Sequence, residues 1–408
     1  MKKTLDQLLS EDGASSLAGR TVAVRVDFNV PLSDDRITDT IRIDRALPTL
    51  ERLSEARCRT VLLSHLGRPD GAPDPQFSLR PVADYLSDCG LFPARFCPQP
   101  SGSDVDAAVA DLSDGDVLLL ENTRFVEGET ANDPALGQAW AAWADHFVTD
   151  AFGTAHRAHA STHALPAAVR AKGGSAVAGY LMERELRYLG TALTTPVRPF
   201  VAVLGGAKIT GKIDVIESLL PKADALLIGG AMANTFFAAL GLETGTSLLE
   251  ADKTELARDL LERGGTKLVL PVDVVCAERI TPGAEARVAD RSRVEATEAI
   301  GDVGPGTRAL FREHVMGAGT VVWNGPMGVF EMAPFAAGTI AMAQAAADAS
   351  KAGTTVIVGG GDSAAAAEAA GVAEEITHIS TGGGASLEFL AGRALPGVEI
   401  LSEAVAEV

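Results

Sequence analysis

Cysteine is scarce in this 408-residue chain: Cys58, Cys89, Cys97 and Cys276 are the whole set, and no two form a C-x-x-C pair. That sparse spacing excludes a disulfide framework or a cysteine-based zinc site, and it reads as reduced thiols in a cytoplasmic protein. Lysine is scarce too, with 9 residues against 26 arginines, and 35 Lys+Arg fall well short of 54 Asp+Glu. The net charge of −19 opposes binding to nucleic acid or to an anionic lipid surface. Acidity of this size is also what adaptation to salt would produce, a point that an assay over a range of KCl concentrations decides. Long apolar runs are missing. The longest uncharged stretch, 225–242, is interrupted by Gly229-Gly230 and Asn234, so it reads as a strand, a loop and a helix rather than a membrane span. At the start of the sequence, Asp6 and Glu11 bracket a short amphipathic stretch where a secretory signal would need roughly 7–15 apolar residues and a cleavage site. No repeat recurs at a period of roughly 20–50 residues, and the Ala-rich stretches near 341–347 and 364–370 read as ordinary helices.

What remains is an ordinary globular composition, 47% hydrophobic and 22% charged, long enough for about two to four domains and of a size that favours an enzyme. Short β-branched or Leu-rich runs alternate with longer Ala/Leu/Glu-rich stretches, which predicts parallel α/β sheets covered on both faces. In the first half the runs are 21–26, 60–63, 116–120 and 147–148, continuing into RVDFNVP, SHLGRPD, ENTRF and TDAFGTAHRAH. In the second half they are 200–204, 225–228, 267–270, 321–323 and 354–358, and four of them continue into GGAKITGK, GGAMAN, NGPMGVFE and GGGDS. Open α/β sheets bind ligands beyond the carboxyl ends of their strands, so these continuations should line two sites, one rich in cations and the other in bare backbone. The boundary falls between Gly173-Gly174 and Pro199, where 183–187 looks helical and Thr194-Thr195-Pro196 ends the helix.

The cationic series is Arg25, Arg42, Arg68, Arg124 and Arg157, with His65. Any one of these arginines alone reads as a surface or ion-pair residue. Their recurrence at one topological position calls instead for a small metabolite carrying phosphate and carboxylate, which the planar guanidinium grips bidentately. Asp27 and Asn29 can accept hydrogen bonds from its hydroxyl. His156, His159 and His163 have i, i+3, i+7 spacing, but Gly153-Thr154 and Pro166 suggest a loop or short helix, and no carboxylate or cysteine completes a zinc set.

In the glycine series, 206–212 nearly matches G-x-x-x-x-G-K-[ST], with Ile213 where the Mg²⁺-binding hydroxyl would stand. The segment follows a strand and opens a helix, so its amides, with Lys208 and Lys212, can meet phosphate; the plain alternative is a tight turn. Asp362 in GGGDS can hold Mg²⁺ bridging nucleotide phosphates, or simply cap a helix. The TGGGAS segment, 381–386, precedes an apolar helix, and its amides can stabilise a phosphoryl group in transit. Glu331, closing NGPMGVFE, can fix a ribose.

Together these segments resemble the phosphoglycerate kinase family along nearly the whole chain: RVDFNVPL (25–32), SHLGRPDG (64–71), LLENTRF (119–125), DAFGTAHRAH (150–159), LGGAKITGK (204–212), VVWNGPMGVFE (321–331), VGGGDS (358–363) and STGGGASLEFL (380–390). The resemblance implies an α/β chain of two Rossmann-like three-layer αβα domains with mainly parallel sheets joined by a helical hinge. Residues 1–180 would bind 3-phosphoglycerate or 1,3-bisphosphoglycerate, 181–199 form the hinge helix and linker, 200–390 bind nucleotide, and 391–408 pack back on the first domain. It implies reversible transfer of the acyl phosphate of 1,3-bisphosphoglycerate to MgADP, in the cytoplasm, by a monomer whose partners are small molecules only. By resemblance Asp27, Asn29, Arg42, His65, Arg68, Arg124 and Arg157 hold the glycerate substrate. Gly205, Gly206, Lys208, Lys212, Gly229, Gly230, Asn324, Pro326, Glu331, Gly360, Gly361, Asp362 and Ser363 would serve ADP or ATP, with Asp362 toward Mg²⁺. Arg42, Lys208, Lys212, Gly382, Gly383 and Gly384 would act on the group in flight.

No catalytic base appears among the motifs, and none is required: one nucleophile is a carboxylate already ionised at pH 7, the other a phosphate oxygen of ADP. Catalysis then rests on in-line positioning and charge neutralisation, after closure about 174–199 excludes water. Departures from the family pattern are small. Ser363 stands where Thr is common, 11–17 looks like an extended loop, and IRIDRA around Arg42 is a loose match with Arg45 nearby. A mechanical P-loop NTPase would need a hydroxyl at position 213. A catalytically silent binding protein would have lost Lys208, Lys212, Asp362 and Gly382–Gly384, all of which are present.

Overall fold

The computed structural model describes residues 2–11, 17–69 and 71–404, so Asp70 and most of the loop expected at 11–17 lie outside the described residues. The chain forms two compact units, one of residues 1–186 with 394–408, the other of 187–393.

In the first unit six strands form one parallel sheet in the order Ala94–Cys97, Val117–Leu120, Arg59–Leu63, Thr21–Val26, His146–Asp150, Ala176–Ala178. Thr21–Val26 is buried at every position, which is why TVAVRV is a continuous run rather than an alternating one. Helices Leu47–Glu55 and Arg80–Asp88 bury Leu50, Leu53, Val82 and Leu86 in the cluster that holds Val22, Val24 and Val26. Register decides where the site lies. Arg25 pairs with Leu63 and Thr149, and Val26 with Asp150, so the RVDF, SHLG and DAFG continuations leave the sheet from one level edge. Residues of the C-terminal stretch complete this unit: the Gly397 amide donates to the Ala155 carbonyl (2.9 Å), Ser402 to Ala176 (2.8 Å) and Lys3 to Ser402 (2.8 Å).

The second unit repeats the plan with Leu268–Val269, Ala225–Ile228, Phe200–Leu204, Thr320–Asn324, Thr355–Gly359 and His378–Ile379, all parallel. Leu204 pairs with Ile228 and Asn324, and Asn324 with Gly359, so four glycine turns begin side by side. The Ala-rich stretches are helices Ala337–Lys351 and Gly361–Ala369, and the first packs Ala343, Ala346 and Ala347 into the core with Phe311 and Trp323.

The structure adds elements that the sequence pattern hides. Ala94–Cys97, Ala176–Ala178 and His378–Ile379 are edge strands of two to four residues, too short for a periodicity signal. The run expected at 267–270 is a two-residue strand, after which Pro271 turns the chain into a separate antiparallel sheet, Arg287–Asp290, Asp273–Ala277 and Ala299–Val303. Helix Tyr180–Thr194 contains the division between the units, and the Asp150 carboxylate accepts from the Leu181 and Met182 amides at its first turn (2.9 and 3.1 Å). No helix among the described residues is long and apolar enough to cross a membrane.

Candidate active site

At the level edge of the first sheet, the turns after Thr21–Val26 and Arg59–Leu63 bring Asp27, Asn29 and His65 together. The short helix Ile41–Asp44 adds Arg42, and the turn Thr123–Phe125 adds Arg124. Arg42 Nη1 lies 3.3 Å from Asp27 Oδ2 and donates to the Asn29 carbonyl at 3.1 Å. Asn29 Oδ1 accepts from the Gly67 amide (2.8 Å), and Arg124 Nη1 donates to the Gly67 carbonyl (2.7 Å), so two expected ligand-binding side chains hold one turn. Asp27 Oδ1 and Arg124 Nε are buried without a hydrogen-bond partner among the described residues. Burial first, then Arg25 and Arg157, with Arg68 adding a smaller contribution, lower the Arg124 pKa. Arg68 and Arg157 are exposed, the latter donating from Nε to His156 (3.1 Å). This edge thus gathers cations beside an unsatisfied carboxylate oxygen and an unsatisfied guanidinium nitrogen, an arrangement complementary to an anion that also carries a hydroxyl.

Arg25 departs from the expectation that five guanidiniums face one cleft. It is 1% exposed, because its strand position points into the layer beneath the edge. There Nε donates to Ser161 Oγ (2.9 Å), Nη1 contacts the Val26 carbonyl, and Nη2 faces His65 Nδ1 (3.2 Å). The sequence reading also missed Glu129, a fully buried carboxylate that accepts from the Ser161 hydroxyl and amide (2.6 and 2.9 Å) and from Thr123 Oγ1 (3.2 Å). His159 Nδ1 stands 4.0 Å from Glu129 and His163 pairs with Asn132, so the histidines of the i, i+3, i+7 pattern have different neighbours.

In the second unit the glycine turns interlock through backbone. The Gly205 amide donates to the Asn324 carbonyl (3.0 Å), Gly206 to Pro326 (2.9 Å) and Gly230 to Met327 (3.0 Å). A Cβ on Gly205 would stand 2.1 Å from the Pro326 carbonyl oxygen, and one on Gly230, at φ +66°, 2.4 Å from the Gly206 nitrogen. A Cβ on Gly229 would meet Met327 Sδ at 2.4 Å. Buried Asn324 accepts Lys212 Nζ on its side chain (2.5 Å) and its carbonyl (2.7 Å), and donates to the Gly359 carbonyl (2.8 Å). Burial pushes the Lys212 ammonium down to about 8, with Asp362 opposing. Ser363 is buried and accepts from the Gly325 amide (2.6 Å), which ties the turn at Gly360 and Gly361 to the one at Asn324; Thr would supply the same hydroxyl.

A cavity of about 750 Å³ opens from these turns, lined among others by Gly206, Gly230, Pro326, Glu331 and Asp362 and by apolar Phe237, Leu248 and Met327. Its size suits a small-molecule ligand, and its apolar residues suit one with an apolar body. Lys208, Glu331 and Asp362 are exposed. Gly360, rather than Asp362, occupies the cap of helix Gly361–Ala369, and the Asp362 carboxylate makes no ion pair or hydrogen bond among the described residues. In TGGGAS the Gly382 amide is committed to Ser380 Oγ (3.1 Å), itself 2.6 Å from Ser386 Oγ, while Gly383 at φ +51° leads into helix Gly384–Leu390. Of the three amides expected to face a transferring group, Gly382 therefore holds the loop. Glu250, which no motif marked, accepts from the Ile209 and Thr210 amides (2.6 and 3.0 Å) and from Thr210 Oγ1 (2.5 Å), so it pins the loop that carries Lys208 and Lys212.

Residues 13–393 match the profile of the family described as phosphoglycerate kinase. The chain is 51% identical over 407 residues to a phosphoglycerate kinase of Chloroherpeton thalassium, covering 99% of this chain and all of that one. It is 53% identical over 399 residues to that of Chloroflexus aurantiacus, covering 95% and 97%. Among solved structures, phosphoglycerate kinase from Coxiella burnetii superposes with a TM-score of 0.85 at 41% identity over 94% of this chain and 96% of that one. The Pyrococcus horikoshii enzyme does so at 0.82 and 31%, over 98% of each.

Proposed function

Because this chain belongs to the phosphoglycerate kinase family, we propose that its two strand-end clusters divide the substrates of the family's reaction between them. That reaction is the reversible transfer of the acyl phosphate of 1,3-bisphosphoglycerate to ADP, giving 3-phosphoglycerate and ATP. The cationic edge of the first unit takes the glycerate: Arg42, Arg68, Arg124 and Arg157 meet its anionic groups, His65 adds a hydrogen bond, and Asp27 and Asn29 accept from its hydroxyl. The cavity of the second unit takes the nucleotide. Its phosphates lie toward Gly205, Gly206, Lys208, Lys212 and the turn Gly360, Gly361, Asp362, Ser363, its ribose toward Glu331, and its base among the apolar walls beside Gly229, Gly230 and Pro326. The observation that carries this division is the pairing of unsatisfied polar atoms at the first edge with a glycine-walled cavity at the second.

Magnesium fits the second site, because Asp362 presents an uncommitted carboxylate in the lining of the cavity, the hard ligand this cation takes. Bound with the nucleotide, Mg²⁺ neutralises phosphate charge. The chain's own contribution is positioning and electrostatics. Arg42, Lys208 and Lys212 set positive charge around the oxygens of the group in flight, Gly383 and Gly384 offer amides, and Gly382 holds their loop against Ser380. Both nucleophiles are already anionic at pH 7, so no side chain has to remove a proton.

ATP formation from 1,3-bisphosphoglycerate and MgADP, followed over a range of KCl concentrations, tests the reading. Lys208→Ala should lower kcat about 100-fold or more while changing either KM only a few-fold. Weakened binding with kcat intact would remove Lys208 from the transfer step. We also read the protein as a cytoplasmic monomer that closes about helix Tyr180–Thr194 when both substrates are bound. Solution scattering should register compaction only in the ternary state, and an unchanged radius of gyration there would sink the closure.

A further inference from the structure

A guanidinium carries N–H donors and no acceptor at any working pH, so whatever faces it within hydrogen-bond distance must offer a lone pair. Arg25 Nη2 stands 3.2 Å from His65 Nδ1. We infer that Arg25 is a positioning residue that locks His65 in the neutral tautomer protonated on Nε2, so that His65 meets its anionic ligand as a one-proton hydrogen-bond donor rather than as a cation. The inference deepens the reading of His65 as a glycerate-binding group.

The lock is built so that Arg25 cannot turn away. Its Nε is held by Ser161 Oγ at 2.9 Å and its Nη1 by the Val26 carbonyl. Ser161 is in turn fixed by Glu129, through hydroxyl and amide, and Arg25, Ser161 and Glu129 are all buried. The rival arrangement would protonate Nδ1 toward Asp27 Oδ1, which has no hydrogen-bond partner. That oxygen is 3.9 Å from Nδ1, beyond hydrogen-bond reach, and the added proton would confront the Arg25 N–H.

The charges around the ring act in the same direction. Arg25 and Asp27 face it from the Thr21–Val26 strand end, Arg42 from helix Ile41–Asp44, Arg124 from the Thr123–Phe125 turn, and His159, with Glu129 beside it, from below. Burial first, then Arg25, Arg124 and Arg42, hold the imidazole well below its ordinary range, and the two carboxylates do not offset them. The chemical gain is selectivity of role. Arg42, Arg68, Arg124 and Arg157 already supply positive charge for a metabolite that carries both a carboxylate and a phosphate, and a neutral donor adds direction without a further buried charge and without a pH-dependent contact.

The test uses the full ¹⁵N-labelled chain and long-range ¹H–¹⁵N correlation of its imidazoles between pH 5.5 and 8, with His65 assigned by the signals lost in His65→Gln. The expected result is a bare Nδ1, a protonated Nε2 and no titration step. A protonated Nδ1, an even tautomer mixture or a midpoint inside that range overturns the lock. Arg25→Lys, which keeps the charge and loses the fork, should bring mixed tautomers and make the 3-phosphoglycerate KM pH-dependent, with kcat changed less than threefold. A single tautomer and a flat profile in that variant also overturn the lock, and if the variant does not fold, the wild-type spectrum decides. Adding 3-phosphoglycerate separates the two readings: an unmoved Nε2–H signal refutes the ligand contact alone, whereas the tautomer result stands or falls before ligand is added.

Discussion

The two strand-end sites are built on the same sheet plan from opposite materials. At the first edge, the proposed ligand-binding groups are side chains whose positions depend on other side chains: Arg124 and Asn29 hold one turn, Arg25 orients His65, and buried Glu129 with Ser161 supports Arg25. At the second edge, main chain does most of the work, with turns packed so closely that hydrogen atoms are the only side chains that fit at Gly205 and Gly230. A site made of charged side chains can lose affinity without losing its frame, because each arginine is held at few points. A site made of interlocked backbone has no such separation, since the surface that binds is also the packing.

The sharpest way to break this contrast is Gly230→Ala. The new Cβ would meet the Gly206 nitrogen at 2.4 Å, in a left-handed backbone region that itself costs about 1–2 kcal/mol for a residue with a side chain. The expected outcome is a melting temperature lower by roughly 5–10 °C, together with loss of ADP binding by about 100-fold or more in calorimetry. Its counterpart at the first edge is Arg124→Ala, which should weaken 3-phosphoglycerate by about 10–100-fold and leave melting within about 2 °C. A Gly230→Ala protein that melts and binds ADP like the parent would show that the second edge has slack. An Arg124→Ala protein that unfolds early would show that the first edge is equally frame-dependent.

The same difference in materials explains what could be read from the sequence. Strands buried on both faces, such as 21–26 and 200–204, are unalternating runs, apolar but for Thr21 and Arg25 in the first, and were legible with their ends. The placement of the candidate residues at strand ends was legible too, because DFNV, SHLG, GGAK and GGGDS stand at the ends of such runs. The short edge strands were not legible, and neither was the antiparallel sheet, where Asp273–Ala277 and Arg287–Asp290 are partly exposed and Pro271 interrupts the apolar stretch before them. Arg25 is separated from the turn at Asp27 by Val26 alone, and a sequence pattern cannot separate an arginine at the edge from one beneath it; only the strand's alternation, resolved in three dimensions, does so. Glu129 and Glu250 belong to no motif because their work is to accept hydrogen bonds from residues distant in sequence, Ser161 and Ile209–Thr210. Charge alone gives such a carboxylate no signature.

A finer probe of the comparison is Lys212, a long side chain embedded in the backbone-built site. Desolvation among the glycine turns pushes its pKa down to about 8, with Asp362 favouring the charged form. Its charge is therefore complete near pH 6.5 and lost as pH rises through 8, and a bound phosphate shifts that loss upward by stabilising the ammonium. ADP affinity should fall by about five- to tenfold between pH 7 and 9, most of the loss that a single required proton allows at one pH unit above its pKa. Arg cannot deprotonate in this range, so Lys212→Arg should flatten the profile even if its larger head weakens binding at every pH. A wild-type profile that is already flat would mean that Asn324, which holds Nζ through its carbonyl and its side chain, keeps the ammonium charged despite its burial. In that event the second edge, like the first, would owe its charge to the side chains behind it, and the contrast between the two sites would narrow to the glycines alone.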